Sequence, residues 1–168
     1  MSTFDRDPVL DPQRLDEIAR LRLHEEDVDA ILETYVKQAA EEFKLPVSLV
    51  TIVLDGVQKY AAAEGLSGWL AETRSTPVEW SFCADSVRAG APLTINNTTQ
   101  VDRYKNNPMV TQEDIRCYAG APLVSKNGHH LGTFCIAGYD SRAFTQAEMD
   151  RLKEYATLAM EQIEARVA

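Results

Sequence analysis

Apolar positions along this chain change period three times, and each change marks a different kind of element. From Asp11-Pro12, which pairs a capping carboxylate with a residue preorganised for the first helical turn, Leu15, Ile18, Leu21 and Leu23 recur at near-helical spacing. A second helix is predicted from Asp27, with Val28, Ile31, Leu32, Tyr35, Val36, Ala39 and Phe43 as a wide apolar stripe that needs a sheet or another helix to cover it; Pro46 predicts its end near Lys44. The period then shortens. VSLVTIVLD is a β-branched run with little polar interruption, as expected for a central strand buried on both faces. Asp55-Gly56 predicts a two-residue turn into VQKYAAA, a returning strand nearer the sheet edge in which Gln58 and Lys59 mark a more exposed position. At the far end Thr145-Gln146-Ala147-Glu148 reads as a capping box before a helix of about six turns, whose length predicts an end reaching beyond the core. Met149, Leu152, Tyr155, Ala156, Ala159, Met160, Ile163 and Val167 are its apolar face.

The clearest local signal is RCYAGAPLVSKNGHHLGTFCIAGY, residues 116–139. Two β-rich runs flank Asn127-Gly128, a pair suited to the positive φ angles of a two-residue type I′ loop. Cys117, Ala119, Ala121 and Leu123 point to one face and Tyr118, Gly120 and Val124 largely to the other, so neither face is plainly polar and the hairpin belongs at the sheet centre. Gly120, Gly132 and Gly138 inside these runs predict a bulge or the close approach of another backbone or a ligand. Two segments fit no period. Residues 64–81 contain too many breakers for one helix and too much tryptophan for a solvated linker, and residues 96–115 are polar with Tyr104, Pro108, Met109 and Val110 as anchors. Between them Ser81 caps a short helix closed by Gly90, followed by a short strand at PLTI.

The sequence IRCYAGAPL, the Lys-Asn-Gly turn and HLGTFCIAG, with FCADSV upstream and NNPMV between, resembles the signature of a GAF domain over about residues 25–165. The resemblance implies an α+β, GAF/PAS-like fold: a central antiparallel sheet of five or six strands, the N- and C-terminal helices on one face, and irregular pocket-covering segments on the other. Residues 1–24 are then an N-terminal helical extension and 25–168 the GAF domain. The family's members are small-molecule-binding and dimerising sensory modules, coupled to kinases, cyclases, phosphodiesterases or transcription regulators. The resemblance therefore implies a non-catalytic sensory or regulatory module for a small molecule or a signalling protein, with no output domain on the chain and signalling through association. A homodimer is expected, built by the helices through the Leu15–Leu21 stripe and the long last helix. Two alternatives are a thiol-dependent reductase of free methionine sulfoxide, an activity also found on this fold, and a pure protein-interaction module.

Composition narrows this further. The 168 residues allow one domain, and 26 acidic against 17 basic residues give a formal charge of −9, which repels nucleic-acid backbones and anionic lipid alike. No long apolar run and no basic, apolar amino terminus is present, so a cytoplasmic location is the expectation. Cys83, Cys117 and Cys135 each lie in apolar sequence and read as reduced, buried structural thiols. Arg116 beside Cys117 does not change this, because neighbours on a strand point to opposite faces.

Metal binding is not expected. His24, His129, His130 and the three cysteines lack the paired spacing of a zinc site. No cofactor can be named: no cysteine is followed by the histidine that bilin attachment implies, only His129 or His130 could serve as a haem ligand, and Lys105-Asn106-Asn107-Pro108 is a loose echo of the cyclic-nucleotide pattern. The expected pocket is apolar and aromatic with a few placed polar groups. It lies between the Tyr118 face of the sheet and the segments 64–81 and 96–115. Trp80, Phe82, Tyr104 and Tyr118 are its candidate walls, and Asp85, Asp102, Asn107 and Arg116 its candidate polar contacts, with Tyr104 and Arg116 the leading pair. The competing expectation for these side chains is core packing, and for Asp102 and Arg116 a mutual or local ion pair.

Overall fold

A computed structural model describes residues 7–23, 25 and 27–167 of the chain. Helices α1 (Pro12–Leu21) and α2 (Asp27–Phe43) precede strands β1 (Val47–Val53) and β2 (Val57–Glu64). Then come α3 (Gly68–Thr73), β3 (Ser75–Pro77), α4 (Phe82–Ala89), β4 (Leu93–Ile95) and the single turn α5 (Pro108–Thr111). Strands β5 (Cys117–Val124) and β6 (His130–Gly138) and helix α6 (Gln146–Ala165) complete the chain. The sheet has six strands in the order β3-β2-β1-β6-β5-β4, and every neighbouring pair is antiparallel. The fold is α+β, as expected.

The unbroken β-branched run of β1 is explained by its place: it lies between β2 and β6 and is buried at all seven positions. On one face α1, α2 and α6 close over Val50, Ile52, Ala119, Ala121, Leu123, Phe134 and Ile136. Phe134 stacks on Tyr155 of α6 at 5.2 Å between ring centroids, and Phe43 of α2 meets the same tyrosine at 6.3 Å. The capping predictions hold. Asp11 accepts from Gln13 N, Ser81 accepts from Ala84 N, and Thr145 and Glu148 form a reciprocal capping box.

Several expectations need correction. The hairpin between β5 and β6 does not use a two-residue type I′ loop. Ser125 N donates to His129 O and Gly128 N to Ser125 O, and only Gly128 takes a positive φ, +88°. This is the longer loop in which a glycine bulge follows the turn, so Asn127 needs no left-handed conformation. The far end of α6 does not run past the core: Ile163 is fully buried, and Arg166 donates to Leu21 O, Glu25 and Asp27. Nor is the α1 stripe free to cover a second copy, because Ile18 and Leu21 are buried in this chain's own core with Leu15 packed against it. Gln58, expected to be exposed, is 5% exposed, since Thr76 and Ser81 satisfy its amide. Of the three strand glycines, Gly132 records a close backbone approach: a Cβ there would lie 1.9 Å from Thr51 O.

Candidate functional site

The opposite face of the sheet is covered by shorter pieces, and these do not fill the space. A cavity of about 170 Å³ lies between β1, β2, β5 and β6 on one side and the segments 64–81 and 96–115 on the other. Leu49, Tyr60 and Ala137 line its sheet side, Leu70 and Trp80 one lid, and Met109 and Ile115 the other. Trp69 is 40% exposed at the margin, edge-on to Trp80 at 6.0 Å and donating to Glu113. Among the described residues no lysine, arginine or histidine lines the cavity, and Glu113 is the only carboxylate that does. Tyr60 also lines it, with a buried hydroxyl that lies near Thr76 and Gln58 but makes no well-formed hydrogen bond among the described residues, and whose ionisation burial pushes up to about 12.

A cluster of thiols and hydroxyls sits beside this apolar lining. Tyr118 can reach it because its ring folds over Gly120: a Cβ on Gly120 would lie 2.3 Å from the Tyr118 hydroxyl oxygen. That hydroxyl lies 3.0 Å from Cys83 Sγ and 3.3 Å from Thr133 Oγ1, while Thr133 Oγ1 donates to Cys83 Sγ at 2.9 Å. Thr51 Oγ1 stands 3.2 Å from Thr133 Oγ1, and Cys135 Sγ is 4.0 Å from Cys83 Sγ. Burial alone would push the Cys83 thiol up, but its hydrogen bonds with Cys135, Thr133, Thr51 and Tyr118 outweigh it and bring the thiol below its ordinary range. Its shared hydrogen bond with Cys83, together with burial, pushes Cys135 well above the ordinary thiol range. Cys117 lies apart from this pair, with burial raising its thiol.

The eight candidate residues fall into two groups. Trp80, Phe82 and Tyr118 line the cavity. The other five do not, and each has a local structural partner. Tyr104 packs edge-on behind Phe82 at 5.1 Å and donates to Asp85 at 2.7 Å. Asp85 also accepts from Arg88 and Arg103; burial would raise its carboxyl, but these donors hold it below the usual range. Asn107 caps α5 through Met109 N and donates to Trp80 O, tying the two lids together. Arg116 donates to the carbonyls of Val110 and Ile115 and pairs with Asp114 at 3.5 Å, while Asp102 pairs with Lys105 at 3.2 Å, so the ion pairs are local rather than mutual.

Sequence reasoning missed Gln58, Tyr60 and the meeting of Cys83 with Cys135 in the wall. The two thiols lie 52 residues apart on a helix start and a central strand, and no short-range pattern joins them. Among the described residues no group of His, Cys, Asp or Glu is placed to hold a metal; His24 lies outside them. No described helix is long and apolar enough to cross a membrane.

The sheet order, the layered helices and the lidded cavity define a small α+β domain with a cavity under one face of its sheet. The family model of the GAF domain matches residues 25–164, and the chain belongs to that family. It is 31% identical over 148 residues to a cyclic di-GMP phosphodiesterase of Pseudomonas aeruginosa, an alignment covering 87% of this chain and 24% of that protein, so the chain spans about a quarter of the relative's length. Among solved structures, the GAF domain of an Acinetobacter phosphoenolpyruvate-protein phosphotransferase superposes with a TM-score of 0.69 at 15% identity, covering 93% of this chain and 95% of that one. A type II free methionine-R-sulfoxide reductase from Thermoplasma acidophilum superposes with a TM-score of 0.68 at 13% identity, covering 83% and 94%. At such identities these likenesses are of fold alone.

Proposed function

We propose that this domain is a sensory or regulatory module whose cavity takes a small, uncharged or cationic, largely apolar ligand, and that its occupancy is passed to a partner by association. The observation that carries this is the cavity itself. Its volume is close to the roughly 150 Å³ that accommodates a benzene ring, and its lining supplies aromatic walls, one unpartnered phenol and no cation. An aromatic or short aliphatic molecule with one hydrogen-bonding group for the Tyr60 hydroxyl fits that chemistry. A cyclic dinucleotide fits it poorly, despite the phosphodiesterase relative, because two phosphates would meet Glu113 and no positive group. A cytoplasmic setting belongs to the same reading and suits three free cysteines. So does association of two copies, through a surface other than the buried α1 stripe.

Reduction of free methionine sulfoxide is the competing reading. It draws on the two cavity thiols, but the lining holds no cation for the substrate's carboxylate. Thermal-shift and hydrogen-exchange measurements with indole, benzyl alcohol and cyclic di-GMP test the proposal. The two neutral aromatics should raise the melting temperature and protect amides in residues 64–81 and 96–115, leaving α2 and α6 unchanged, while cyclic di-GMP should do neither. No response to any aromatic probe, or protection by cyclic di-GMP, overturns it.

A further inference from the structure

We propose that Cys83 and Cys135 are a redox-active dithiol in the cavity wall, in which Cys83 attacks a small hydroperoxide and Cys135 closes the product to a disulfide. This goes beyond ligand sensing and does not depend on a ligand being found. Both thiols line the cavity, which gives a small molecule a route to sulfurs that are otherwise 3% and 2% exposed. Their separation of 4.0 Å leaves about 2 Å to close to the bonded distance. Cys83 is the second residue of α4, where the peptide dipoles favour a thiolate. Thr133 Oγ1 at 2.9 Å and the Tyr118 hydroxyl at 3.0 Å can donate to that thiolate. Cys117 has neither a second thiol nor a place on the cavity wall, so the arrangement belongs to one pair.

The chemistry balances with a hydroperoxide as oxidant. The Cys83 thiolate attacks the terminal peroxide oxygen, an S–O bond forms as the O–O bond breaks, and the departing alkoxide takes a proton from the Tyr118 and Thr133 hydroxyls, which water restores. Cys83 is then a sulfenic acid. The Cys135 thiol attacks its sulfur, the S–S bond forms, and hydroxide leaves with the thiol proton as water. Two thiols have lost two electrons and the peroxide has become an alcohol, or water if the oxidant is hydrogen peroxide. An external thiol reductant reverses the bond.

The test uses the full chain, reduced and then treated with stoichiometric hydrogen peroxide or tert-butyl hydroperoxide, denatured with an alkylating agent and mapped by mass spectrometry. The expected product is a Cys83–Cys135 disulfide with Cys117 alkylated, formed more than about tenfold faster than oxidation at Cys117 and reversed by dithiothreitol. Cys135→Ala should accumulate a dimedone-reactive sulfenic acid at Cys83, and Cys83→Ala should leave Cys135 reduced. The wild-type map stands by itself if either variant fails to fold. The two oxidants differ in bulk, so a response to hydrogen peroxide alone defines the smaller substrate and still supports the dithiol. Oxidation first at Cys117, no disulfide while peroxide remains, or a disulfide formed only in urea overturns the proposal. A disulfide produced by free methionine sulfoxide but not by peroxide overturns the oxidant assignment and favours the reductase. Disulfide formation without uptake of indole or benzyl alcohol removes the ligand reading and leaves this one standing.

Discussion

The two faces of one sheet have been closed in different ways. On the helical face, α1, α2 and α6 lay long apolar stripes over the strands, ion pairs tie helix to helix, and Glu17 and Glu164 accept hydrogen bonds from the β5–β6 turn. On the lidded face, helices of four to eight residues and irregular segments are held by side-chain hydrogen bonds, and they leave a cavity beside a buried cluster of thiols and hydroxyls. Long helices can present matched apolar ridges to a sheet. Short pieces joined by polar ties can instead frame a space without filling it. The same six strands thus support one face that is filled and one that encloses a cavity.

Truncation in the helical face should break this contrast most severely. Phe134 is fully buried and stacked on Tyr155, so Phe134→Ala should cost about 3–5 kcal/mol, read as a lowered denaturation midpoint with unchanged slope. A loss under 1 kcal/mol would mean that this layer is no better packed than the other. Gly120→Ala reaches the lidded face from within the sheet. The new methyl group cannot share space with the Tyr118 ring, and overpacking should cost about 3 kcal/mol. It should also move the Tyr118 hydroxyl away from Cys83, which the ionisation of that thiol, followed by its thiolate absorbance, would report as an upward shift.

The helical face carries its own pH dependence. Glu17 of α1 is buried and accepts from Arg20, Ser125 and Asn127, at 2.5, 2.6 and 3.2 Å. Burial would raise its carboxyl, but those donors outweigh it and hold it down to about 2, against an ordinary 4.5. A depressed carboxyl contributes stability that is fully present above about pH 4.5 and is lost as the pH falls towards 2. Glu17→Gln should therefore cost about 2 kcal/mol at neutral pH and flatten the decline between pH 5 and 2. An unchanged acid limb in urea titrations would rule Glu17 out as its source.

The two faces also differ in how much the sequence discloses. The stripes of α2 and α6, the capping box at Thr145 and the unbroken β1 run are local patterns with a fixed period, and each predicted its element. Where a polar residue has found a distant partner, that logic reverses. Gln58 looks exposed because it is polar, yet Thr76 and Ser81 satisfy it inside the core. Tyr104 and Arg116 look like ligand contacts because they stand in a long polar segment, yet Asp85 and the carbonyls of Val110 and Ile115 occupy them. The cavity's position between the Tyr118 face of the sheet and two long irregular segments was legible. Its chemistry was not, because the Cys83, Thr133 and Tyr118 cluster depends on strand register and on Gly120 making room for a ring.

The smallest effect discriminates most finely between framing the cavity and lining it. Tyr104 lies behind Phe82, with its hydroxyl on Asp85, and does not reach the cavity surface. Tyr104→Phe keeps the ring contact and removes one hydrogen bond to a carboxylate that still has Arg88 and Arg103, so the expected loss is about 1 kcal/mol. If Tyr104 acts only by positioning α4, the variant should bind a neutral aromatic probe with unchanged affinity while its melting temperature falls by a few degrees. A direct ligand contact predicts the reverse pattern: weakened probe binding, measured by calorimetry, with little change in melting temperature. That outcome would place the hydroxyl on the ligand's side of Phe82 and extend the binding surface beyond the cavity described here.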